Sequence, residues 1–305
     1  MASFDNDINL ITQYLAELYD EKYKMESLTT VLDAPDEIVQ DTQNPRTIMI
    51  PRHEIDGLGD YSRNSGFVKG DADVKWESHE FSQDRGRQFL IDRYDDIETL
   101  QVAFGRLTEQ FIRTKVVPEI DAYRFSEMAD KADNEKTGDP DASDILDEID
   151  EAEETMTDAE VPPEGRILFV NPKIFRYLKQ ADAVDRWFDT QTGEQVMDRR
   201  FWELDGQLVI VVPKARFNTE IELYDGESDG EEDGGFSTDG EDINFMVVHP
   251  SAVLSIVKHR NPRIFGPDEN QTADGYLYDY RVYHDLFVPE NKTEGIYLHK
   301  QESGE

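Results

Sequence analysis

The segment from Thr47 to Tyr94 constrains this chain more than any other. It opens with the β-type run Ile48-Met-Ile50, passes through a stretch punctuated by Gly57, Gly59, Gly66 and Gly70, and then carries two runs rich in β-formers, Val74 to Phe81 and Gln88 to Tyr94. The polar, Gly-bearing link Ser82-Gln-Asp-Arg-Gly-Arg87 between those two runs suits a hairpin turn. A two-stranded ribbon is only marginally stable alone. The segment therefore predicts an arm that lies on something else, either the body of its own chain or a neighbouring one.

The flanking sequence supplies such a body. Ahead of the arm, Ile8, Ile11, Tyr14, Leu15, Leu18 and Tyr19 recur at helical spacing over residues 5–26, and the stretch from Asp33-Ala-Pro-Asp36 to Gln43-Asn-Pro45 has breakers and no period, as an extended arm would. After it, Asp95 and Glu98 form a helix-start pair, and Leu100, Phe104, Leu107 and Phe111 continue through Val117, Ile120 and Met128 to about Ala132. This predicts one long helix with Pro118 as a kink or restart. Asp133 to Ala142 is a polar linker, and Ile145, Leu146, Ile149 and Met156 mark a second, acidic helix that ends before Pro162-Pro163. Short elements then alternate: a strand from Arg166 to Val170, a helix from Lys173 to about Ala183, strands at Leu208 to Val212 and Ile243 to Val248, and a helix opened by His249-Pro250 and running through Val257-Lys258. Tyr276 to Val288 reads as a long strand, and Gly295 to His299 closes the chain. No repeat of solenoid period is present.

Composition narrows the function classes. In 305 residues, 37% hydrophobic content supplies a core, while 68 Asp and Glu against 31 Lys and Arg give a formal charge of −37. Such a field repels itself at low salt and is screened within roughly 3 Å at molar salt, so the surface reads as that of a protein from a salt-loving host or as that of an ordinary acidic protein. It also argues against a DNA-gripping role, which needs a basic stripe to displace counterions. With no Cys, disulfides, thiolate metal sites and Cys nucleophiles are excluded. The longest apolar runs, such as Leu208 to Pro213, are too short to cross a bilayer, and the N-terminus has no secretory h-region.

Motifs that carry chemistry are absent: there is no Gly-x-Ser-x-Gly elbow, phosphate loop or dinucleotide fingerprint. No catalytic residue, cofactor or specific metal site is expected. Asp229, Glu231, Asp233 and Gly234 imitate the opening of a calcium loop, but position twelve is Gly240 and no helix pair flanks it, which leaves Asp229, Glu231 and Asp233 as weak candidates for diffuse cation association. They lie in the acidic segment Asp225 to Asp242, a solvated loop. His53, His79, His249, His259, His284 and His299 are never paired at metal-ligand spacing. Arg85, Arg87, Arg93, Arg113 and Lys115 are expected to pair with carboxylates across subunit boundaries.

Three stretches resemble major capsid proteins of siphovirus-like phages, tailed double-stranded DNA viruses with the Hong Kong 97 fold. They are Phe81-Ser-Gln-Asp-Arg-Gly-Arg-Gln-Phe-Leu-Ile-Asp-Arg93, Phe111-Ile-Arg-Thr-Lys-Val-Val-Pro-Glu-Ile-Asp-Ala-Tyr-Arg-Phe125 and Phe245-Met-Val-Val-His-Pro-Ser-Ala-Val-Leu254. Pro163-Glu-Gly-Arg-Ile-Leu-Phe-Val-Asn-Pro172 and Tyr280-Arg-Val-Tyr-His-Asp285 add to them. The resemblance implies an α+β chain with an N-terminal arm over 1–46, an E-loop hairpin over 47–94, a peripheral-domain spine helix over 95–135, an axial α/β domain over 136–261, peripheral strands over 262–294 and a final strand and tail over 295–305. The E-loop would overlie an adjacent subunit, and the acidic loop would sit near a capsomer's centre or face. Some shells of this fold crosslink through a Lys and an Asn, roles to which Lys69 and Asn291 would correspond.

The resemblance also implies partners. The chain would self-assemble into hexamers and pentamers of an icosahedral head around double-stranded DNA, without sequence-specific contact and without a membrane. Portal, scaffolding and prohead protease proteins would join it during assembly in the host cytoplasm, with decoration or turret proteins as further possibilities. Scaffolding would be a separate protein or a segment cleaved before residue 1. The acidity departs from family members of Gram-positive hosts and points to a virus of a halophilic archaeon. Two alternatives remain: an encapsulin-type compartment shell, and an acidic cation-binding protein or hydrolase with an unrecognised site.

Overall fold

The computed structural model describes residues 27–33, 46–63, 66–92, 110–181, 203–260, 262–271 and 273–302. The expected helix over 5–26 and the start of the long helix, up to residue 109, lie outside them. In chain order the strands are β1 (Thr47–Ile55), β2 (Ala72–Glu80), β3 (Gln83–Asp92), β4 (Asn134–Thr137), β5 (Ile167–Val170), β6 (Glu203–Leu204), β7 (Gln207–Val211), β8 (Ile221–Leu223), β9 (Phe236–Thr238), β10 (Ile243–Val248), β11 (Leu254–Arg260), β12 (Arg263–Phe265), β13 (Gly275–Phe287) and β14 (Ile296–Lys300). The α-helices are α1 (Val117–Asp130), α2 (Ile145–Asp158) and α3 (Pro172–Gln180).

The arm is a ribbon, but its partners differ from those expected. β2 pairs antiparallel with β1, from Thr47↔Glu80 to Ile55↔Ala72, and the Gly-rich stretch is its apex. β3 pairs instead with β13, from Gln83↔His284 to Asp92↔Gly275. The segment Ser82 to Arg87 is therefore not a hairpin turn: β3 already begins at Gln83, and Gly86 lies inside it. A Cβ on Gly86 would stand 2.9 Å from the carbonyl oxygen of Tyr280, so the glycine marks a close backbone approach between strands rather than a reversal.

The α/β lobe holds a six-stranded mixed sheet in the order β4-β14-β10-β5-β7-β6. Its central strands β5 and β10 are buried at every position. Unbroken apolar runs such as Ile243 to Val248 are what a sheet covered on both faces requires. Period-two alternation sends Leu168, Val170, Phe245 and Val247 to one face, where Ile145, Ile149 and Met156 of α2 and Ile174 and Leu178 of α3 pack on them. Ile167, Phe169, Met246 and Val248 point the other way, toward Phe125, Met128 and Ala129 of α1. α3 starts cleanly because Pro172 fits a first helical turn and the Asn171 side chain accepts the Ile174 N–H at 2.8 Å.

In the second sheet β13 is central, with β3 along one edge and β11 and β12 along the other. The stretch after His249-Pro250 belongs here and is a correction to the helix expected there. Pro250–Ala252 makes a single 3-10 turn, capped by the His249 ring nitrogen, which accepts the Ser251 N–H, and the chain then extends as β11. Leu254 and Ile256 pack on β13's side of the arm's root. Sheet membership thus changes at Val253, and β14 returns to the lobe sheet beside β10 and β4.

One helix joins the two cores. Ile112, Val116, Val117 and Ile120 pack on Tyr278, Tyr280 and Val282 of β13, while Phe125 and Met128, further along, reach the lobe sheet. The expected irregularity at Pro118 takes the form of a wider turn over Ile112–Val116, closed by the Val117 N–H on the Ile112 carbonyl. A proline has no N–H to offer the carbonyl four residues back and its ring crowds that group, and a π-type turn just ahead of it relieves both problems.

Candidate assembly surfaces

The ribbon divides into a seated root and an uncovered outer half. At the root, Ile48 and Phe81 are buried against Ile256 and Phe287. Phe81 meets Phe287 edge-on at 5.2 Å and Tyr283 at 5.1 Å between ring centroids. Outward from there β2 is exposed on both faces at five successive positions. Ile55 is 76% exposed, Leu58 fully so and Phe67 86%, with Tyr61, Val68, Val74 and Trp76 also in solvent. The Tyr61 and Phe67 ring centroids lie 4.9 Å apart at the apex. Cross-strand ion pairs, Lys75 with Glu54 at 2.6 Å and Arg52 with Glu77 at 3.0 Å, hold the two strands in register. The exposed Lys75–Glu54 pair contributes little to stability. Large exposed apolar side chains gathered on one element mark a surface that takes a partner, a ligand or a membrane.

A single carboxylate anchors the root. Asp285 of β13 is buried and accepts the Ser82 N–H at 2.6 Å, the Tyr123 hydroxyl at 2.6 Å and the Leu286 N–H at 2.8 Å. Ser82 is the residue between the ribbon strand β2 and the body strand β3. Burial raises the Tyr123 phenol above its ordinary value, reinforced by its bond to Asp285. Glu127, one turn along α1, is also raised, first by burial and then by the negative Asp285.

A second buried polar cluster fixes the arm segment 27–33 across α1. Asp121, fully buried, accepts the Ser27 hydroxyl at 2.7 Å, the Leu28 N–H at 3.1 Å and the Thr29 hydroxyl at 2.7 Å, and pairs with Arg216 at 3.2 Å. Arg124, equally buried, donates to Thr29 at 2.8 Å and pairs with Asp33 at 3.0 Å, while Ser255 donates to Asp33 at 3.1 Å. Sequence reading missed this cluster. A signal existed: Asp121 and Arg124 fall on the same helical stripe as Val117 and Met128, where a charge is out of place unless it is paired.

Of the basic residues expected to pair across subunit boundaries, Arg85 and Arg87 bond within the chain, Arg113 and Lys115 are exposed, and Arg93 lies outside the described residues. Arg85 pairs with Glu119 of α1 at 2.8 Å, and Arg87 donates to the Glu232 carbonyl at 2.8 Å. Arg85 also donates to the Gly235 carbonyl at 3.4 Å, so both arginines hold the acidic loop between β8 and β9 against β3, above a cavity of about 530 Å³ lined by Phe89, Phe111 and Tyr280. Within that loop Asp225 accepts from the Glu227 and Ser228 amides and the Ser228 hydroxyl, which lower its carboxyl to about 2. Glu231 accepts the Asp225 N–H at 3.0 Å. Asp229, Glu231 and Asp233 thus belong to a structured loop, and no group of three or more His, Asp or Glu among the described residues is arranged to hold a metal ion.

The histidines are scattered. His249 caps its 3-10 turn, His284 is buried edge-on to Tyr123, and His299 is buried in β14, stacked on Phe245 at 4.7 Å. His79 lies at the ribbon root beside Phe287, and the side chains of His53 and His259 lie outside the described residues. Lys69 is exposed at the ribbon apex, and Asn291 is exposed in the connection from β13 to β14.

No protein-family model and no curated protein sequence matches the chain. Solved structures do. A capsid structure of the cyanophage P-SCSP1u is similar over 90% of this chain and 87% of its own, with a TM-score of 0.60 at 12% identity. The mature capsid of bacteriophage PhiM1 is similar over 86% and 83%, with a TM-score of 0.58 at 12% identity. A virus-like particle from Pyrococcus furiosus is similar over 94% and 98%, with a TM-score of 0.53 at 10% identity. At such identities the likeness speaks for architecture, and it agrees with the ribbon, the single joining helix and the two sheets: the chain has the α+β fold of Hong Kong 97-type capsid subunits.

Proposed function

We propose that this chain is the major capsid protein of a tailed double-stranded DNA virus, a structural subunit that assembles with copies of itself into hexamers and pentamers of an icosahedral head. The observation that carries this reading is the ribbon. Its outer half bears Ile55, Leu58, Tyr61, Phe67, Val68 and Trp76, exposed among the described residues, on an element that cannot support itself alone. A neighbour supplies the cover, and a contact between unlike faces of identical subunits closes into rings. The capsid fold supports the same reading. Portal, scaffolding and prohead protease proteins are the partners such a head requires, and the virion, filled in the host cytoplasm, is where the chain resides.

The host is read from charge. With 68 acidic residues against 31 basic ones, every copy brings a large negative charge to a shell of many copies. Screening at molar salt removes most of that repulsion. A halophilic archaeal host fits this balance, and particles dialysed from molar salt into dilute buffer are expected to lose integrity by light scattering. Shells that survive would remove the halophile reading.

Purified particles test the main proposal. Nuclease-protected double-stranded DNA inside closed shells is the expected result. Enclosed protein cargo would assign the chain to an encapsulin-type compartment, the reading that the virus-like particle from Pyrococcus furiosus brings forward. A salt-stable monomer with catalytic turnover would overturn both.

A further inference from the structure

Three of the stretches on which the capsid resemblance rests, 81–93, 111–125 and 280–285, are far apart in sequence but meet at one atom group. Ser82 is the first residue of the first stretch to leave the ribbon, Tyr123 is on α1, and Asp285 is the last residue of the third. The Asp285 carboxylate is 4% exposed and takes a donor from each: the Ser82 N–H and the Tyr123 hydroxyl, both at 2.6 Å, with its own neighbour Leu286 at 2.8 Å. The Ser82 and Tyr123 hydroxyls are 3.1 Å apart, so the serine is held at its backbone and its side chain.

The position of this group in the chain gives it leverage. β2 ends at Glu80 and β3 begins at Gln83, so Phe81 and Ser82 alone separate a strand of the ribbon from a strand of the body. Phe81 is seated by ring packing on Tyr283 and Phe287, and its N–H donates to the carbonyl of Arg46, the residue before β1, at 2.9 Å. The Ser82 amide is bound to a charged acceptor, and such bonds are both stronger and more directional than neutral ones. A small rotation at this joint moves the apex far, because nine residues of paired strand, rising about 3.4 Å each, lie beyond it.

We propose that Asp285 is the positioning residue of the ribbon: by holding Ser82 to α1 and β13 it sets the angle at which the arm leaves the body, and so which neighbour its apolar apex meets. The consequence for assembly rests on the reading of the ribbon as an intersubunit arm; the latch itself does not. Asp285→Asn is the natural probe. It keeps the shape and one acceptor oxygen but removes the charge and turns a donor toward the Ser82 N–H or the Tyr123 hydroxyl. Tyr123→Phe removes one partner and leaves the carboxylate in place.

The chain has no Cys, so a spin-label pair at Val74→Cys on the ribbon and Glu154→Cys on α2, both at exposed positions, reports the angle in unassembled full-length chain. The latch requires a narrow distance distribution in the parent, broadened or displaced in Asp285→Asn and, less, in Tyr123→Phe. Hydrogen exchange at the Ser82 amide rises roughly tenfold or more in Asp285→Asn, as loss of a bond to a charged acceptor implies, while exchange in β10 stays at the parent level. An unchanged distribution in Asp285→Asn with β10 still protected overturns the proposal. If Asp285→Asn does not fold, a distance distribution in Tyr123→Phe that is identical to the parent's overturns it. A freed ribbon in chains that still build shells at parental yield and size would leave the latch standing and remove the arm reading instead.

Discussion

The ribbon and the lobe sheet are built from the same kinds of residue and behave in opposite ways. β10 places Phe245, Met246, Val247 and Val248 between two layers of helix, and every one is buried. The ribbon places Ile55, Leu58, Phe67, Val68 and Trp76 in water. In the lobe, the apolar side chains hold one subunit together. In the ribbon they contribute next to nothing to the isolated fold and are available to a second copy. Hydrophobic content therefore says how much surface seeks cover, and topology decides whether the cover comes from the same chain.

Mutations that break this contrast should separate stability from assembly. The largest loss is expected in the lobe. Phe169→Ala removes a ring that meets Phe125 edge-on at 5.1 Å, and should cost about 3–5 kcal/mol in denaturant unfolding. Next comes Arg166, buried beneath the C-terminal end of α2, where it donates to the carbonyls of Glu153, Val161 and Pro162 and to the Thr157 hydroxyl. Arg166→Ala leaves those acceptors without their donor and should cost about 3 kcal/mol, with hydrogen exchange rising first over α2. A Lys in its place cannot reach the same four acceptors and should recover only part of the loss.

A smaller effect follows from pH. Burial lowers the His299 imidazole below its ordinary value, only partly offset by Glu148, whose carboxylate is 3.6 Å from Nε2 and is itself bound to Lys136 at 2.6 Å. The unfolded chain takes up a proton below a pH of about 6.5 while the folded chain resists it, so this contribution is full above that pH and is lost as pH falls toward the folded value. A His299→Gln variant should show a flatter stability profile over that window than the parent. Equal slopes would mean that His299 does not govern it.

How much of this was legible in the sequence depended on range. Ile243 to Val248, Tyr276 to Val288 and the acidic helix after Ile145 match β10, β13 and α2 closely, because their patterns are local and strong. The pairing of β3 was not legible. Gly86 carries the same letter in a turn and in a strand that another backbone approaches closely, and only the partner, almost two hundred residues away in β13, distinguishes them. His249-Pro250 misled for a related reason: a proline after a capping residue opens a 3-10 turn as readily as a helix, and the β-type residues Leu254, Ile256 and Val257 decided for a strand. Asp285 could not be singled out at all among 68 acidic residues. Its burial is a property of the fold, whereas Asp121 had betrayed itself by standing on an apolar helical stripe.

The most direct test of the central claim uses the residues that cost the subunit least. Leu58→Ser with Phe67→Ser removes two fully or largely exposed side chains from the ribbon apex. Surface changes of this kind alter stability by no more than about 0.5 kcal/mol, so the unfolding midpoint of the unassembled chain should match the parent. Sedimentation under assembly conditions should then show subunits in place of closed particles. Particles formed at the parent's yield by that same variant would contradict the account of the ribbon as the arm that joins one copy to the next.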